Sequence, residues 1–305
     1  MNSKSPISGV LAPVVTPFRK NLTPDLDRLV RHCRWLVSND CGLALFGTNS
    51  EANSQSADER AELLESVVAA GIDPSTMMPG TGCCAIPDTV RLTRDAVRLG
   101  CPGVLMLPPF YYKGVSDDGL YAYYAEVIER VGDARLRIYL YHIPPVAQVG
   151  ISLGLIERLI KRYPETVVGI KDSSGEWDNT KAMLDAFPDF DVFPGAETFL
   201  LDAMRGGGAG CISATANVNP AAIVTLFRNW QADDADARQG ALTATRATIQ
   251  AYPMIAALKA TIASFADDPD WVTVRPPLVS LSAEQQATLR SKLDARGFTM
   301  PGVTN

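Results

Sequence analysis

Eight short apolar runs punctuate the chain: GVLAPVVTPF, GLALFG, TMMPGTG, GVLMLPP, LRIYLYH, TVVGIKD, DVFPG and AGCISATA. Each is nearly continuous rather than alternating, the pattern of a strand covered on both faces. Between the runs, apolar positions recur three and four residues apart, as in Pro24 to Ser38, Ala57 to Ala70 and Thr89 to Leu99, which predicts amphipathic helices. One strand and one helix together take roughly 25 to 30 residues, the length of a right-handed parallel crossover. Eight such units predict an α/β fold, a closed (β/α)8 TIM barrel; an open doubly wound sheet is the alternative that strand counting leaves standing. After the helix near Pro220 the chain turns polar at QADDADARQ and then reads as helical to Leu293. The expected division is a catalytic barrel over residues 1–231 and a C-terminal helical appendage over residues 232–305, with a loose tail from Phe298.

Composition narrows the function classes. Acidic residues outnumber basic ones by 34 to 28 with a net charge of -6, and no Lys/Arg cluster is dense enough to track phosphates, so nucleic acid is not expected as a partner. The opening MNSKSPISGV lacks a signal-peptide core, and no run of about 18 apolar residues occurs, so a soluble, cytoplasmic protein with no membrane partner is expected. The cysteines at 33, 41, 83, 84, 101 and 211 form no CxxC pair and read as buried free thiols rather than disulfides or ligands. His32 and His142 are the only histidines, too few for a His-rich metal centre. GGGAG at Gly206 to Gly210 precedes its strand and reads as a helix stop and tight turn, and no phosphate-binding glycine motif is present. Neither metal nor cofactor is expected.

In a barrel, the C-terminal ends of the strands converge on one mouth. The ends supply Thr16, then Gly47 to Glu51, then Tyr111 and Tyr112, then Tyr141 and His142, then Lys171. Lys171 is the sharpest of these. Held among Val167, Val168, Gly169 and Ile170, its charged form loses hydration, and a neutral amine is what attacks a ketone to make an imine. Snorkelling to solvent or pairing with an acid is the competing explanation. Tyr141, one strand earlier, is placed to shuttle protons during carbinolamine dehydration, although a core tyrosine with its hydroxyl at the rim has the same sequence pattern. The loop Gly47 to Ser50 offers hydroxyls and N–H groups that suit a small carboxylate, and turn formation explains the same composition. Lys259 in AALKATIA reads as structural, its stem lying along a helix surface.

Three motifs carry a family resemblance. GTNSEA at Gly47 to Ala52 resembles the G-[TS]-T-G-E-[AS] loop of the dihydrodipicolinate synthase / N-acetylneuraminate lyase family of Schiff-base, pyruvate-dependent aldolases. YHIP at Tyr141 resembles its Y-N-[VI]-P, and GIKDSSG at Gly169 its G-[IL]-K-[DE]-x-[ST]-G. PFYYKGVSDDGLYAYY, GCISATANVNP and RPPL agree as well, so the likeness spans nearly the whole chain. The resemblance implies a lyase with Lys171 as the imine lysine and Tyr141 as the proton relay. It implies that Thr48 holds the pyruvate carboxylate and joins the relay, with Asn49 beside it, and that Ile212 lines the pocket. It also implies that Tyr112 is lent to a neighbouring subunit in a homodimer or tetramer.

Two departures matter. Asn49 and Ser50 replace the usual Thr and Gly, and an amide binds a carboxylate but cannot relay a proton as a hydroxyl does. Val146 stands where dihydrodipicolinate synthases proper carry an Arg for the carboxylate of aspartate semialdehyde. The expectation is therefore a different substrate, such as a 2-keto-3-deoxy sugar acid. Dihydrodipicolinate synthesis is the alternative, and a non-catalytic 2-oxo acid sensor is the alternative from another class.

Overall fold

The computed structural model describes residues 7–304. Residues 1–6, which carry part of the leader argument, and Asn305 lie outside the described residues. The strands are β1 (Gly9–Ala12), β2 (Gly42–Leu43), β3 (Val104–Met106), β4 (Ile138–His142), β5 (Val167–Asp172), β6 (Asp191–Pro194) and β7 (Gly210–Ile212). The helices through the first half of the chain are α1 (Leu26–Ser38), α2 (Ala57–Ala69), α3 (Ile86–Arg98), α4 (Asp117–Val131), α5 (Pro144–Ala147) and α6 (Leu153–Arg162). There follow α7 (Trp177–Ala186), α8 (Leu200–Arg205), α9 (Pro220–Arg228), α10 (Ala235–Gln250), α11 (Met254–Phe265) and α12 (Ala283–Asp294).

Local signals set the helix starts. Asp25 caps α1 by accepting the Arg28 N–H, so this helix begins two residues after Pro24. Ser56 and Glu59 form a reciprocal capping box at α2. Helix α3 starts at Ile86, earlier than Thr89, because Pro87 lies in its first turn, where a missing N–H costs nothing. GGGAG behaves as expected: α8 stops at Gly206, Gly207 has φ 88, and β7 begins at Gly210.

Asp73–Ile212, together with residues 7–9, form one compact unit. Its sheet is parallel, in the order β3-β4-β5-β6, with Ala209 N donating to Val192 O beside β6 and Gly9 N donating to Ala209 O. The third apolar run does not form a strand as expected. It pairs only at Gly80, bridged to Leu105, because Pro79 has no N–H to extend the ladder. Val10–Ile72 and Ser213–Asn305 form the second unit, in which β1 pairs parallel to β2 and Ser213 N donates to Leu11 O.

The tail is docked rather than loose. Phe298 and Met300 are buried, Phe298 meets Phe265 edge-on at 5.3 Å, and the Trp35 indole N–H donates to Pro301 O at 2.9 Å. Two large apolar side chains gain enough by leaving water to hold it there. All six cysteines are free thiols; Cys33, Cys41, Cys101 and Cys211 are buried, whereas Cys84 is exposed and Cys83 partly so. Burial pushes the Cys33, Cys41 and Cys101 thiols up to about 12.

His32 is buried beside Trp35 and Trp271, with Nε2 3.3 Å from Asn217 Oδ1, which also accepts the Val15 N–H. Its Nδ1 is buried without a partner, so the neutral Nε2–H form fits the site, and burial lowers the ring to about 4. The folded state thus disfavours the proton that the unfolded chain takes up near pH 6.5. The His32 contribution is complete above that pH and falls away as pH drops from 6.5 towards 4. We expect His32→Gln to narrow the stability gap to the parent protein by about 3 kcal/mol over that interval, read from urea unfolding at stepped pH. An unchanged gap would show that His32 is not the titrating group.

Candidate active site

Lys171 and Tyr141 face each other because β5 carries one extra residue. Ile138 pairs with Val167, but Tyr139 pairs with Gly169, so Val168 bulges out of the ladder. Without that slip Tyr141 would oppose Ile170; with it, Tyr141 opposes Lys171 and His142 opposes Asp172. Side chains two apart along a strand share a face, which places Tyr139 and Gly169 in the layer next to Tyr141 and Lys171. The Tyr139 ring fills the space above two glycines. A Cβ on Gly169 would sit 2.5 Å from Tyr139 Cδ1, and one on Gly103 would sit 2.6 Å from Cε2. Phe193 closes the layer edge-on at 5.8 Å.

Above this layer, Lys171 is 2% exposed, with Nζ 3.3 Å from the Tyr141 hydroxyl and 4.4 Å from the centre of its ring. Among the described residues no carboxylate lies within ion-pair distance of that amine. The lysine neither snorkels nor pairs with an acid. Asp172, next in the chain, points elsewhere: it accepts from Thr180 Oγ1 at 2.6 Å, Ser174 Oγ at 3.1 Å and Ser174 N at 3.0 Å. His142 Nδ1 accepts the Ile151 N–H at 2.9 Å, which ties the end of the 143–151 segment to β4. Burial lowers the His142 ring below its ordinary range, against the opposing pull of Asp172.

The remaining candidates are distributed around other elements. Thr48 and Asn49 open a 3-10 turn, Thr48–Ser50, and are half-buried. Ser50 closes that turn, its Oγ accepting the Gly47 N–H and its carbonyl accepting Thr16 Oγ1 at 2.8 Å and Gln55 Nε2 at 2.7 Å. Ile212 is buried at the end of β7. Tyr112 is 70% exposed, next to the still more exposed Tyr111, and Val146 in α5 is 58% exposed, so neither belongs to the buried Lys171–Tyr141 pair. Lys259 does not lie along a helix surface; it is wholly buried against Glu51. Asp172 and Glu51 are two of the buried carboxylates, and the sequence alone assigns neither a role. The one local signal was their place inside the GIKDSSG and GTNSEA motifs.

The dihydrodipicolinate synthetase family matches residues 6–296. The chain belongs to that family. A DapA-like lyase of Chloroflexus aurantiacus is 34% identical over 93% of this chain and 95% of its own. A 4-hydroxy-tetrahydrodipicolinate synthase of Thermus thermophilus is 35% identical over 74% of this chain and 75% of its own. The crystal structure of dihydrodipicolinate synthase from Agrobacterium tumefaciens superposes with a TM-score of 0.88 at 33% identity, covering 95% of this chain and 99% of that one. This dihydrodipicolinate synthetase family member is therefore a lyase with the (β/α)8 fold and added C-terminal helices, the Gly80 bridge standing in for the third strand. No helix among its described residues is long and apolar enough to cross a membrane.

In this family member the Tyr139–Gly169 contact leaves no room for a methyl group. Gly169→Ala is expected to cost about 1–3 kcal/mol in urea unfolding, the usual effect of overpacking. Gly169→Ala with Tyr139→Leu should recover part of it, and a Gly169→Ala variant as stable as the parent would contradict the steric account.

Proposed function

We propose that the protein is a lyase or aldolase for pyruvate-derived 2-oxo acids that works through an imine on Lys171. The observation that carries this reading is the buried amine with a phenol at 3.3 Å and no carboxylate in ion-pair reach among the described residues. The amine in its neutral form adds to the C2 ketone, giving a carbinolamine. Tyr141 relays a proton to the departing hydroxyl, water leaves, and the protonated imine draws the electron pair of the C3–C4 bond. Tyr141, left as phenolate after the dehydration, takes the C4 hydroxyl proton as the bond breaks, so that an aldehyde departs and an enamine remains; return of that proton to C3 and hydrolysis then free pyruvate and restore the amine. The reverse sequence forms the bond.

Thr48 and Asn49 bind the carboxylate, Thr48 also serving the relay, and Ile212 lines the pocket. Val146 meets the far end of the substrate. A neutral side chain there leaves a second carboxylate without its strongest partner, which favours a 2-keto-3-deoxy sugar acid. Tyr112, on its exposed loop, serves the site of a neighbouring copy in a homodimer or tetramer. The enzyme works in the cytoplasm with small molecules only. The second reading, synthesis from pyruvate and aspartate semialdehyde, is supported by the relatives named as synthases and opposed by Val146.

Incubation with pyruvate and borohydride is expected to leave a reduced adduct on the Lys171 peptide in mass spectrometry. Lys171→Arg should abolish turnover, and Tyr141→Phe should slow it by about 10²- to 10⁴-fold. Pyruvate binding without any adduct would overturn the imine and leave a 2-oxo acid sensor. Pyruvate release from a panel of 2-keto-3-deoxy acids tests the substrate class; robust turnover with aspartate semialdehyde instead would select the second reading.

A further inference from the structure

The second compact unit contains a fully buried ion pair that none of the steps above uses. Lys259 in α11 and Glu51 have side chains that are both 0% exposed, and Lys259 Nζ donates to Glu51 Oε1. The other carboxylate oxygen accepts the Arg275 N–H at 2.8 Å. Nζ also donates to Thr273 O at 2.8 Å and lies 4.5 Å from the centre of the Phe18 ring, which the Arg275 guanidinium approaches at the same distance. Burial lowers Lys259 from 10.5 to about 8, with Glu51 opposing the shift.

A pair taken this far out of water adds little stability over a well-packed apolar pair, so its value lies in where it holds the chain. It holds Glu51 in a left-handed conformation, φ 56 and ψ 34, which a residue with a Cβ adopts only when its surroundings impose it. Glu51 directly follows the turn Thr48–Ser50. Ser50 is fixed by Thr16, Gln55 and Gly47, so Thr48 and Asn49 lie in a segment clamped at its C-terminal end by Ser50 and by the Glu51 pair.

We propose that the Lys259–Glu51 pair is the positioning element of the carboxylate cradle, holding the backbone turn that aims Thr48 and Asn49 at the carboxylate of the 2-oxo acid. The inference rests on the imine reading of Lys171 and adds to it a device for selecting 2-oxo acids over simple ketones. Neither residue touches the substrate. Their effect is on how tightly a carboxylate-bearing ketone is held, not on the ability of Lys171 to form an imine.

The test uses borohydride trapping at Lys171 with two ketones, pyruvate and acetone, in the parent protein, Lys259→Met, Glu51→Gln and the double variant. The pyruvate concentration for half-maximal trapping is expected to rise on the order of tenfold in each variant, the size of a lost hydrogen bond to a charged group, while that for acetone stays unchanged. Thermal unfolding followed by circular dichroism identifies the folded variants. Should a single variant not fold, the double variant, with no unpaired buried charge, carries the measurement. An equal rise for both ketones would mean general damage to the site and would overturn the proposal, as would no rise for either in a folded variant. Failure of the parent protein to trap either ketone is a separate result: it removes the imine reading itself, and this inference with it.

Discussion

One extra residue in β5 decides which side chains meet. The bulge at Val168 shifts the pairing so that an amine, not an isoleucine, stands opposite the Tyr141 hydroxyl. Because strand faces alternate, a slip of one position would turn Lys171 to the other side of the sheet. The shift is held by packing: Tyr139 lies across Gly169 and Gly103, a fit that admits no Cβ at either glycine, and Phe193 backs the ring. The arrangement of the upper layer thus depends on the shape of the layer beneath it.

Among the described residues two lysines are almost completely removed from solvent, and their neighbours differ. Lys259 faces a carboxylate, a backbone carbonyl and an aromatic face, so its charge is matched and it serves as a fixed point. Lys171 faces a phenol. The nearby acid, Asp172, is occupied by one backbone and two hydroxyl donors, which keeps it from neutralising the amine next to it in sequence. Burial alone does not separate the two environments; the partner does.

Most helices were legible, because periodicity and caps are local properties: Asp25, Ser56 and Pro87 each mark a start within a few residues. The third strand was not, since its apolar run hides the effect of Pro79 on the ladder. That Lys171 and Tyr141 lie near one another was readable, because both end apolar strands. The bulge that aligns them was invisible, as register is a relation between two strands and not a property of either. Glu51 and Lys259 lie 208 positions apart, and no pattern along the chain links them. The docked tail is hidden for a similar reason: Phe298 meets Phe265 across an intervening helix, and the carbonyl of Pro301 accepts from Trp35, 266 positions away.

The distribution of thiols has a practical side. Cys33, Cys41 and Cys101 are buried and held far from the thiolate that alkylating reagents attack, whereas Cys84 stands exposed. Two residues before it, Gly82 packs so closely on Leu107 that a Cβ would lie 2.3 Å from the Leu107 nitrogen. A maleimide-linked fluorophore would therefore couple at Cys84 ahead of the interior thiols, beside the chain leading to Tyr111 and Tyr112. The native sequence already contains a labelling point from which the surroundings of that aromatic loop can be followed by fluorescence, with no cysteine engineered in.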